Sequence, residues 1–215
     1  MRISPAVKAM SSPNRRRRGP AAPERRSARA EATRTRLVAA AAEAFNLAGY
    51  HGTDSNRIAR AAGYAPAMFY KHFADKRAIF LAAYGAWVTT EWSAIEQEVT
   101  AGGGAKEIAA RVVRLVLDLH RRWRGLRASL LALVASDAEV RRFYREQRRR
   151  QLRMLADLRA RLGGASRAPA EDAVLLFTLE RTCDAVANGE LKELGLAVEP
   201  VLAVVRAHLV DHLRG

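Results

Sequence analysis

The segment from Thr53 to Phe80, TDSNRIARAAGYAPAMFYKHFADKRAIF, decides the fold of this chain. Its pattern predicts two short helices separated by a tight turn at Gly63, where a residue without a Cβ turns at little cost. Asp54 and Ser55 offer N-cap oxygens to the first of these helices. Pro66 suits the first turn of the second, because its missing N–H has no partner at that position. Helix, turn and helix in this order are typical of a helix-turn-helix unit that reads DNA.

The residues on either side complete a small helical domain. Apolar residues recur at helical spacing from about Thr33 to Ala48, and Gly49 is expected to end that helix. Phe69 and Phe73 are four residues apart, so they share one helix face and can be buried together. Asp75 is predicted to cap the long helix that follows. A domain this small is expected to depend on that long helix for part of its stability.

Six short motifs lie in this region. They are Ala44-Phe45, Gly49-Tyr50, Ile58-Ala59, Ala62-Gly63, Phe69-Tyr70-x-x-Phe73 and Asp75-Lys76. With them, residues 33–80 resemble the DNA-binding domain of the TetR family of transcriptional regulators. The resemblance implies an all-α homodimer that binds a palindromic operator in double-stranded DNA. It also implies that a small-molecule effector enters the C-terminal domain and releases or alters this binding.

The whole chain is predicted to be all-α, with about nine helices in three parts. Residues 1–30 are expected to be a disordered basic arm, residues 31–79 a three-helix DNA-binding domain, and residues 80–215 a helical domain for ligand binding and dimerisation. Beyond the first domain, apolar spacing and glycine breaks predict helices over residues 75–100, 105–122, 126–134, 138–162, 170–188 and 201–213. We find no strand alternation and no internal repeat.

Composition limits the partners and the compartment. The 215 residues carry a formal net charge of +15, which favours a polyanionic partner, either nucleic acid or an anionic membrane surface. The helix-turn-helix register argues against the membrane. The single Cys183 cannot form an intrachain disulfide, and no apolar run reaches 18 residues. The basic N-terminus lacks the apolar core of a signal peptide, so we expect a cytoplasmic protein.

The N-terminal arm leaves two interpretations open. Residues 1–30 hold nine basic residues and one acidic residue, with four prolines and an arginine block at Arg15–Arg18. Such a segment buries too little apolar surface to repay its ordering entropy. It is either a solubilising tail or an arm that lies on phosphates or enters a minor groove.

The predicted DNA contacts fall into two classes. Tyr70 and Lys76 are expected to donate to backbone phosphates, which fixes register without reading sequence. In the resembled family's register, Ala65 and the start of the second helix face the groove, but Ala65 stands where a polar cap is usual. Apolar contact with a thymine methyl is available to Ala67 and Met68. The full predicted set is Asn56, Arg57, Pro66, Ala67, Met68, Tyr70, Lys71, His72 and Lys76.

Two further sets are predicted for the C-terminal helices. The resemblance implies a ligand cavity, and the candidate wall residues are Trp87, Trp92, His120, Trp123, Phe143, Tyr144 and Glu180. Ordinary core packing is the competing interpretation for each of them. The last two long helices are expected to form a dimer through Leu175, Leu179, Val186, Leu202, Val205 and Leu209. Glu180, Arg181 and Asp184 interrupt the most apolar helix, either to orient a ligand or to cross the subunit interface.

These observations rank the possible functions. The leading hypothesis is a sequence-specific regulator, most simply a repressor, that acts as a homodimer and responds to an apolar or amphipathic ligand. The alternative is a nucleoid-type protein held on DNA by charge alone. We find no nucleophile–base constellation, glycine-rich phosphate loop or metal-ligand spacing, so we expect no enzyme, no cofactor and no metal site.

Overall fold

The computed structural model describes residues 22–214, and in that range every regular element is a helix. The helices are α1 (Ala22–Ala48), α2 (Ser55–Ala61), α3 (Pro66–Tyr70), α4 (Lys76–Thr100), α5 (Ala105–Arg122), α6 (Arg124–Ser136), α7 (Ala138–Arg161), α8 (Pro169–Asn188), α9 (Glu190–Glu193) and α10 (Val198–Arg214). The all-α prediction is confirmed, and the single-turn α9 is the element that the sequence pattern missed. Within residues 22–214 no helix is both long enough and apolar enough to cross a membrane.

Helix α1 begins earlier than predicted, at Ala22 instead of about Thr33. Residues 22–30 of the predicted arm are thus helical, while residues 1–21 of that arm lie outside the described residues. The physical reason is composition, because the segment after Pro23 is rich in Ala, Arg and Glu, which favour helix. Pro23 itself falls in the first turn, where its missing N–H costs no intrahelical hydrogen bond.

The core of the DNA-binding domain is built from side chains of four helices. Phe45, Ile58, Phe69 and Phe80 are all fully buried. Phe80 belongs to α4, and its ring meets Phe45 of α1 edge-to-face at a centroid distance of 5.0 Å. Helix α4 therefore completes the core of the small domain as well as leading out of it.

Helix α5 lies at the centre of the C-terminal helices. It packs against α4, α8 and α10. Its buried side is aliphatic, with Ile108, Val112 and Val116 among the residues that face the core, while arginines such as Arg114 and Arg121 lie on the exposed side. This division along one helix is the amphipathic pattern that burial of a single face requires.

The side chain of Asn46 joins α1 to the junction between α5 and α6. Its Nδ2 donates to the carbonyl of Arg122 at 2.8 Å. Its Oδ1 accepts from the backbone N–H groups of Gly125 and Leu126, at 3.0 and 3.2 Å. These N–H groups begin α6 and have no partners inside that helix. One amide of the DNA-binding domain thus caps the helix that starts beside the C-terminal core.

The backbones also approach closely at this junction. A Cβ added to Gly125 would lie 2.0 Å from the carbonyl oxygen of Asn46, so a larger residue would force the helices apart. Nearby, the N–H of Tyr50 donates to Oγ of Ser129 at 3.0 Å. The α5–α6 junction is therefore tied to the DNA-binding domain by side-chain and main-chain contacts.

Candidate DNA-binding face and ligand cavity

The local geometry of the helix-turn-helix follows the sequence signals. Asp54 Oδ1 accepts from the N–H of Arg57 at 2.9 Å and caps α2. Gly63 has a φ of +80°, the left-handed conformation that glycine adopts freely. Pro66 opens α3, and Ala65 before it gives that helix no side-chain cap. The departure from the usual polar cap is therefore real, and the first N–H groups of α3 receive no side-chain partner from Ala65.

The predicted DNA contacts lie at the surface over a buried aromatic layer. Phe69 and Phe73 are buried, whereas the Tyr70 side chain between them is 60% exposed. The exposed members of the predicted set are Asn56, Arg57, Ala67, Tyr70 and Lys71, and the half-buried members are Pro66, Met68, His72 and Lys76. This arrangement leaves polar groups of α2 and α3 free to meet a nucleic acid, and their individual roles remain predictions.

Lys76 has a structural role that the sequence did not reveal. Its Nζ donates to the carbonyls of Tyr50 at 3.0 Å and Thr53 at 3.2 Å. It also lies 4.3 Å from the centre of the Tyr50 ring, at cation–π distance. An ammonium has three donors, so one remains for a phosphate. Lys76 holds the loop before α2 against the start of α4, in addition to any contact with DNA.

A narrow cavity lies among the C-terminal helices, between α4, α5, α7, α8 and α10. The cavity has a volume of about 60 Å³. Its walls are almost entirely aliphatic, with contributions from Ile95, Val112 and Leu179 among others. Of the lining residues in the described range, only Glu91 and Glu180 carry a charge. Such a cavity suits an apolar group, with a polar group at one end.

The structure brings only part of the predicted pocket set to this cavity. Trp92 and Glu180 line it. The members that lie outside it are Trp87, His120, Trp123, Phe143 and Tyr144. These aromatic groups pack against one another or against arginines, as when Arg148 stacks 4.8 Å from the Tyr144 ring. Leucine, isoleucine and valine form most of the walls of this cavity. A ligand contact at these five residues stays a prediction.

A buried charge cluster adjoins the polar end of the cavity. Its members are Glu91, His120, Arg127, Arg148, Glu180 and Asp184. Arg127 is only 4% exposed, and its Nε and Nη2 each lie 2.7 Å from a carboxylate oxygen of Asp184. Such a bidentate pair is the favourable geometry for a buried arginine. The cluster connects α4, α5, α6, α7 and α8 by ionic contacts instead of apolar packing.

Glu180 is the most heavily paired acid of the cluster. Its Oε2 lies 2.5 Å from Arg148 and 3.5 Å from Arg127, and its Oε1 accepts from Gln151 at 3.3 Å. Burial alone would raise the pKa of Glu180, but the two guanidinium groups hold that pKa below its ordinary value. Glu180 is therefore a carboxylate in the folded protein, with its charge compensated.

Most of the predicted dimer residues face the core of their own chain, and their part in a dimer stays a prediction. Leu175, Leu179, Leu202, Val205 and Leu209 are buried within the chain itself, and Val186 is half-buried. The faces left exposed carry Val174 and Phe177 on α8 and Val204 on α10, which is 70% exposed. Both helices are apolar around much of their circumference, so the sequence did not show which side faces the core.

Comparison with known proteins identifies the N-terminal part of the chain. Residues 37–83 match the model of the bacterial regulatory proteins of the tetR family. The helix-turn-helix segment is that of a TetR-family regulator. This TetR-family segment contains the helix-turn-helix and the start of α4, so the protein is a DNA-binding regulator. No curated protein matches the sequence.

Solved structures extend the TetR-family likeness to the fold of the C-terminal helices. A protein from Rhodococcus sp. assigned to the family has a TM-score of 0.69 at 17% identity, over 84% of this chain and 98% of its own. A second, from Mesorhizobium loti, has a TM-score of 0.68 at 19% identity, over 86% and 96%. The regulator FadR of Bacillus subtilis, solved with stearoyl-CoA, has a TM-score of 0.60 at 19% identity, over 83% and 98%. At these identities the likeness concerns the fold alone.

Two substitutions separate the structural role of Lys76 from its predicted contact with DNA. Lys76→Met is expected to lower the free energy of unfolding by about 1–3 kcal/mol, because the Tyr50 and Thr53 carbonyls lose their donor. It should also weaken binding to all DNA sequences alike, since phosphates are the same everywhere. Tyr70→Phe should weaken DNA binding without changing the unfolding transition, because its hydroxyl lies at the exposed surface. Urea unfolding and binding to several DNA sequences measure both effects; a changed base preference in either variant would contradict this assignment.

Proposed function

We propose that the protein is a cytoplasmic transcriptional repressor that binds a palindromic operator as a homodimer and is released by an apolar or amphipathic ligand. The observation that carries the proposal is the position of the cavity. Its charged end adjoins a cluster that includes His120 and Arg127, and these two residues flank the α5–α6 junction. Asn46 of the DNA-binding domain is bonded to that same junction. A ligand that moves the cluster would act on a contact of the DNA-binding domain.

The energetic requirement for release is modest. A ligand shifts the DNA-binding equilibrium only by the difference between its affinities for the two conformations. A coupling of about 1–3 kcal/mol changes operator affinity roughly 5- to 150-fold. Rearrangement of a few buried charged contacts is of this size, since each hydrogen bond to a charged group contributes about 1.5–3 kcal/mol. The cluster is therefore a sufficient link between the cavity and the junction.

The exposed apolar faces of α8 and α10 support the homodimer. Val174 and Phe177 are separated by one turn on α8, and Val204 is the corresponding exposed residue on α10. Apolar residues grouped on two adjacent helices are favourable sites for association. A two-fold dimer through α8 and α10 would form a four-helix interface and would present two DNA-binding domains to two inverted half-sites.

The aliphatic cavity supports an effector with an apolar part. FadR of Bacillus subtilis, which has a similar fold, was solved with stearoyl-CoA, a molecule with a long aliphatic chain. The cavity described above is lined by leucine, isoleucine and valine, which suit such a chain. We infer an aliphatic component in the ligand from these walls, and the related fold is consistent with it.

Selection of bound DNA from a random pool tests the proposed function. We expect two inverted half-sites whose centres lie about 34–36 Å or a multiple apart, and an operator complex that survives competitor DNA. A compound panel should then contain ligands that reduce operator affinity. Uniform binding to all sequences would instead favour a charge-driven nucleoid-type protein. A selective protein that no compound binds or releases would be a constitutive repressor, contrary to the proposal.

A further inference from the structure

The charges at the polar end of the cavity do not balance without a proton. The buried cluster contains three carboxylates, on Glu91, Glu180 and Asp184, and two guanidinium groups, on Arg127 and Arg148. The sixth member is a histidine, which is positive only when protonated. A buried carboxylate without a cation is costly, so the cluster requires one further positive charge.

Glu91 is the carboxylate that lacks an arginine. It is 3% exposed, and among the described residues its Oε1 has no hydrogen-bond partner. The nearest cationic nitrogen is Nε2 of His120, 3.5 Å away, and the contact lacks hydrogen-bond alignment. Glu180 and Asp184, in contrast, each have an arginine nitrogen within 2.7 Å. Glu91 also lines the cavity, so this incompletely paired carboxylate lies beside the space that a ligand would fill.

The cavity extends from Glu91 as a slender aliphatic channel. Along α4 it is lined from Glu91 to Val99, and along α5 from Val116 back to Ile108. Each stretch covers nine residues, and the eight steps between its ends correspond to about 12 Å of helix. The small volume and the aliphatic walls suit an unbranched chain better than a broad ring system. The other end, near Leu213, is apolar, so a ligand would place its polar group at Glu91.

We propose that this cavity binds an unbranched aliphatic amine, whose ammonium group lies beside Glu91 and whose chain runs toward Val99 and Ile108. The inference rests on the proposed function, because it takes this cavity to be the effector site. An ammonium donates hydrogen bonds and supplies the missing positive charge, whereas a fatty carboxylate would add a fourth negative charge to the cluster. The head group therefore distinguishes this ligand from an anionic acyl compound.

Amine binding should depend on the protonation state of His120. That imidazole faces Glu91 of α4, Asp184 of α8 and Arg127 of α6, and its Nδ1 lies 2.9 Å from Asp184. Burial alone would lower the pKa of His120, but Asp184 and Glu91 raise that pKa above its ordinary value. At low pH the imidazolium already neutralises Glu91, so the ammonium gains little. As the pH rises through this pKa the imidazole becomes neutral, and amine affinity should increase.

Calorimetric titration with three probes of equal chain length tests the proposal. Decylamine, decanol and decanoate share one tail and differ in head-group charge. We expect decylamine to bind at least about tenfold more tightly than decanoate, a difference of 1.4 kcal/mol. Its affinity should rise as the pH is raised through the pKa of His120 and the imidazole loses its proton, whereas decanol affinity should stay constant. Binding to the protein alone is measured, since a cationic amphiphile also associates with DNA.

Two matched variants locate the ammonium. Glu91→Gln keeps the shape of the side chain and should remove most of the decylamine advantage while leaving decanol binding unchanged. Glu96→Gln serves as the control, because Glu96 lies on the same helix but is paired with Arg161 at the surface. It should not alter either affinity. If Glu91→Gln fails to fold, the pH dependence in the unmodified protein decides the question.

The outcomes separate this inference from the proposed function. Decanoate binding as tightly as decylamine, or decylamine affinity that does not change with pH, would overturn the amine assignment and leave a ligand-released repressor intact. The same conclusion follows if all three probes fail but another compound releases the operator. If no compound of a broad panel binds the protein or releases DNA, the proposed function fails together with the inference.

Discussion

Replacement of Arg127 by methionine is expected to lower the free energy of unfolding by about 3–5 kcal/mol, the usual effect of removing one partner from a buried ion pair. Methionine is close in length to arginine, so packing changes less than charge. The Asp184 carboxylate would lose both guanidinium contacts at 2.7 Å, and Glu180 would lose one at 3.5 Å. A buried carboxylate without its cation must either remain uncompensated or take up a proton.

Urea unfolding at neutral pH measures this effect. Arg149→Met is the matched control, because Arg149 pairs with Glu146 at the surface and should contribute little. Adding Asp184→Asn to Arg127→Met should recover part of the loss, since the unpaired charge is then removed. If Arg127→Met and Arg149→Met unfold at the same urea concentration, the cluster does not stabilise the fold and the proposed link between cavity and junction is lost.

The helix-turn-helix was predictable because its signals are local. An N-cap at Asp54, a left-handed glycine at position 63 and a proline in the first turn of α3 each specify backbone geometry within a few residues. The fold class followed from the absence of strand alternation together with helical spacing. The beginning of α1 is not apparent from the sequence, because repeated prolines and a dense positive charge indicate disorder, although strong helix formers follow Pro23.

The cavity and the dimer face were not predictable in the same way. Leu179 lines the cavity and Phe177 is exposed, although they are two residues apart on the same apolar helix. Hydrophobicity does not show which of two apolar faces meets the chain's own core. The sequence favours aromatic residues as pocket walls, because typical ligand sites are lined by them. The aliphatic spacing of α5 predicts only that one face of the helix is buried, and the arrangement of five helices is needed to show that space remains beside that face.

The positions of charged side chains in the structure are the hardest to predict from the sequence. The sequence offered Glu180 and Asp184 as either ligand groups or interface groups, and the structure places both in the buried cluster. Arg127 and Arg148 lie 53 and 32 residues before Glu180, at separations that no local pattern reports. Lys76 illustrates the same limit, because its bonds to the Tyr50 and Thr53 carbonyls depend on how α1, α2 and α4 meet.

A double variant, Phe177→Arg and Val204→Arg, is expected to convert the proposed dimer to monomer and to lower operator affinity by about 10²- to 10⁴-fold, the usual gain from linking two binding modules. Both side chains are exposed in the single chain, at 51% and 70%, so arginine can replace them without disturbing the core. Across a two-fold interface each charge would approach its own copy, and like charges at an apolar interface oppose association. Analytical ultracentrifugation and operator titration measure the two effects.

The control is Leu131→Arg, which places the same charge at an exposed leucine of α6 instead of on α8 or α10. It should leave both the mass in solution and the operator affinity unchanged.

A charge at Leu179 or Leu209 would be less informative, because those side chains are buried and arginine there would unfold the domain instead of separating two subunits. The double variant should keep the unfolding transition of a folded monomer and bind a single half-site with the same affinity as each half of the dimer. A monomer that retains full operator affinity would show that the two half-sites are not bound through an α8–α10 dimer.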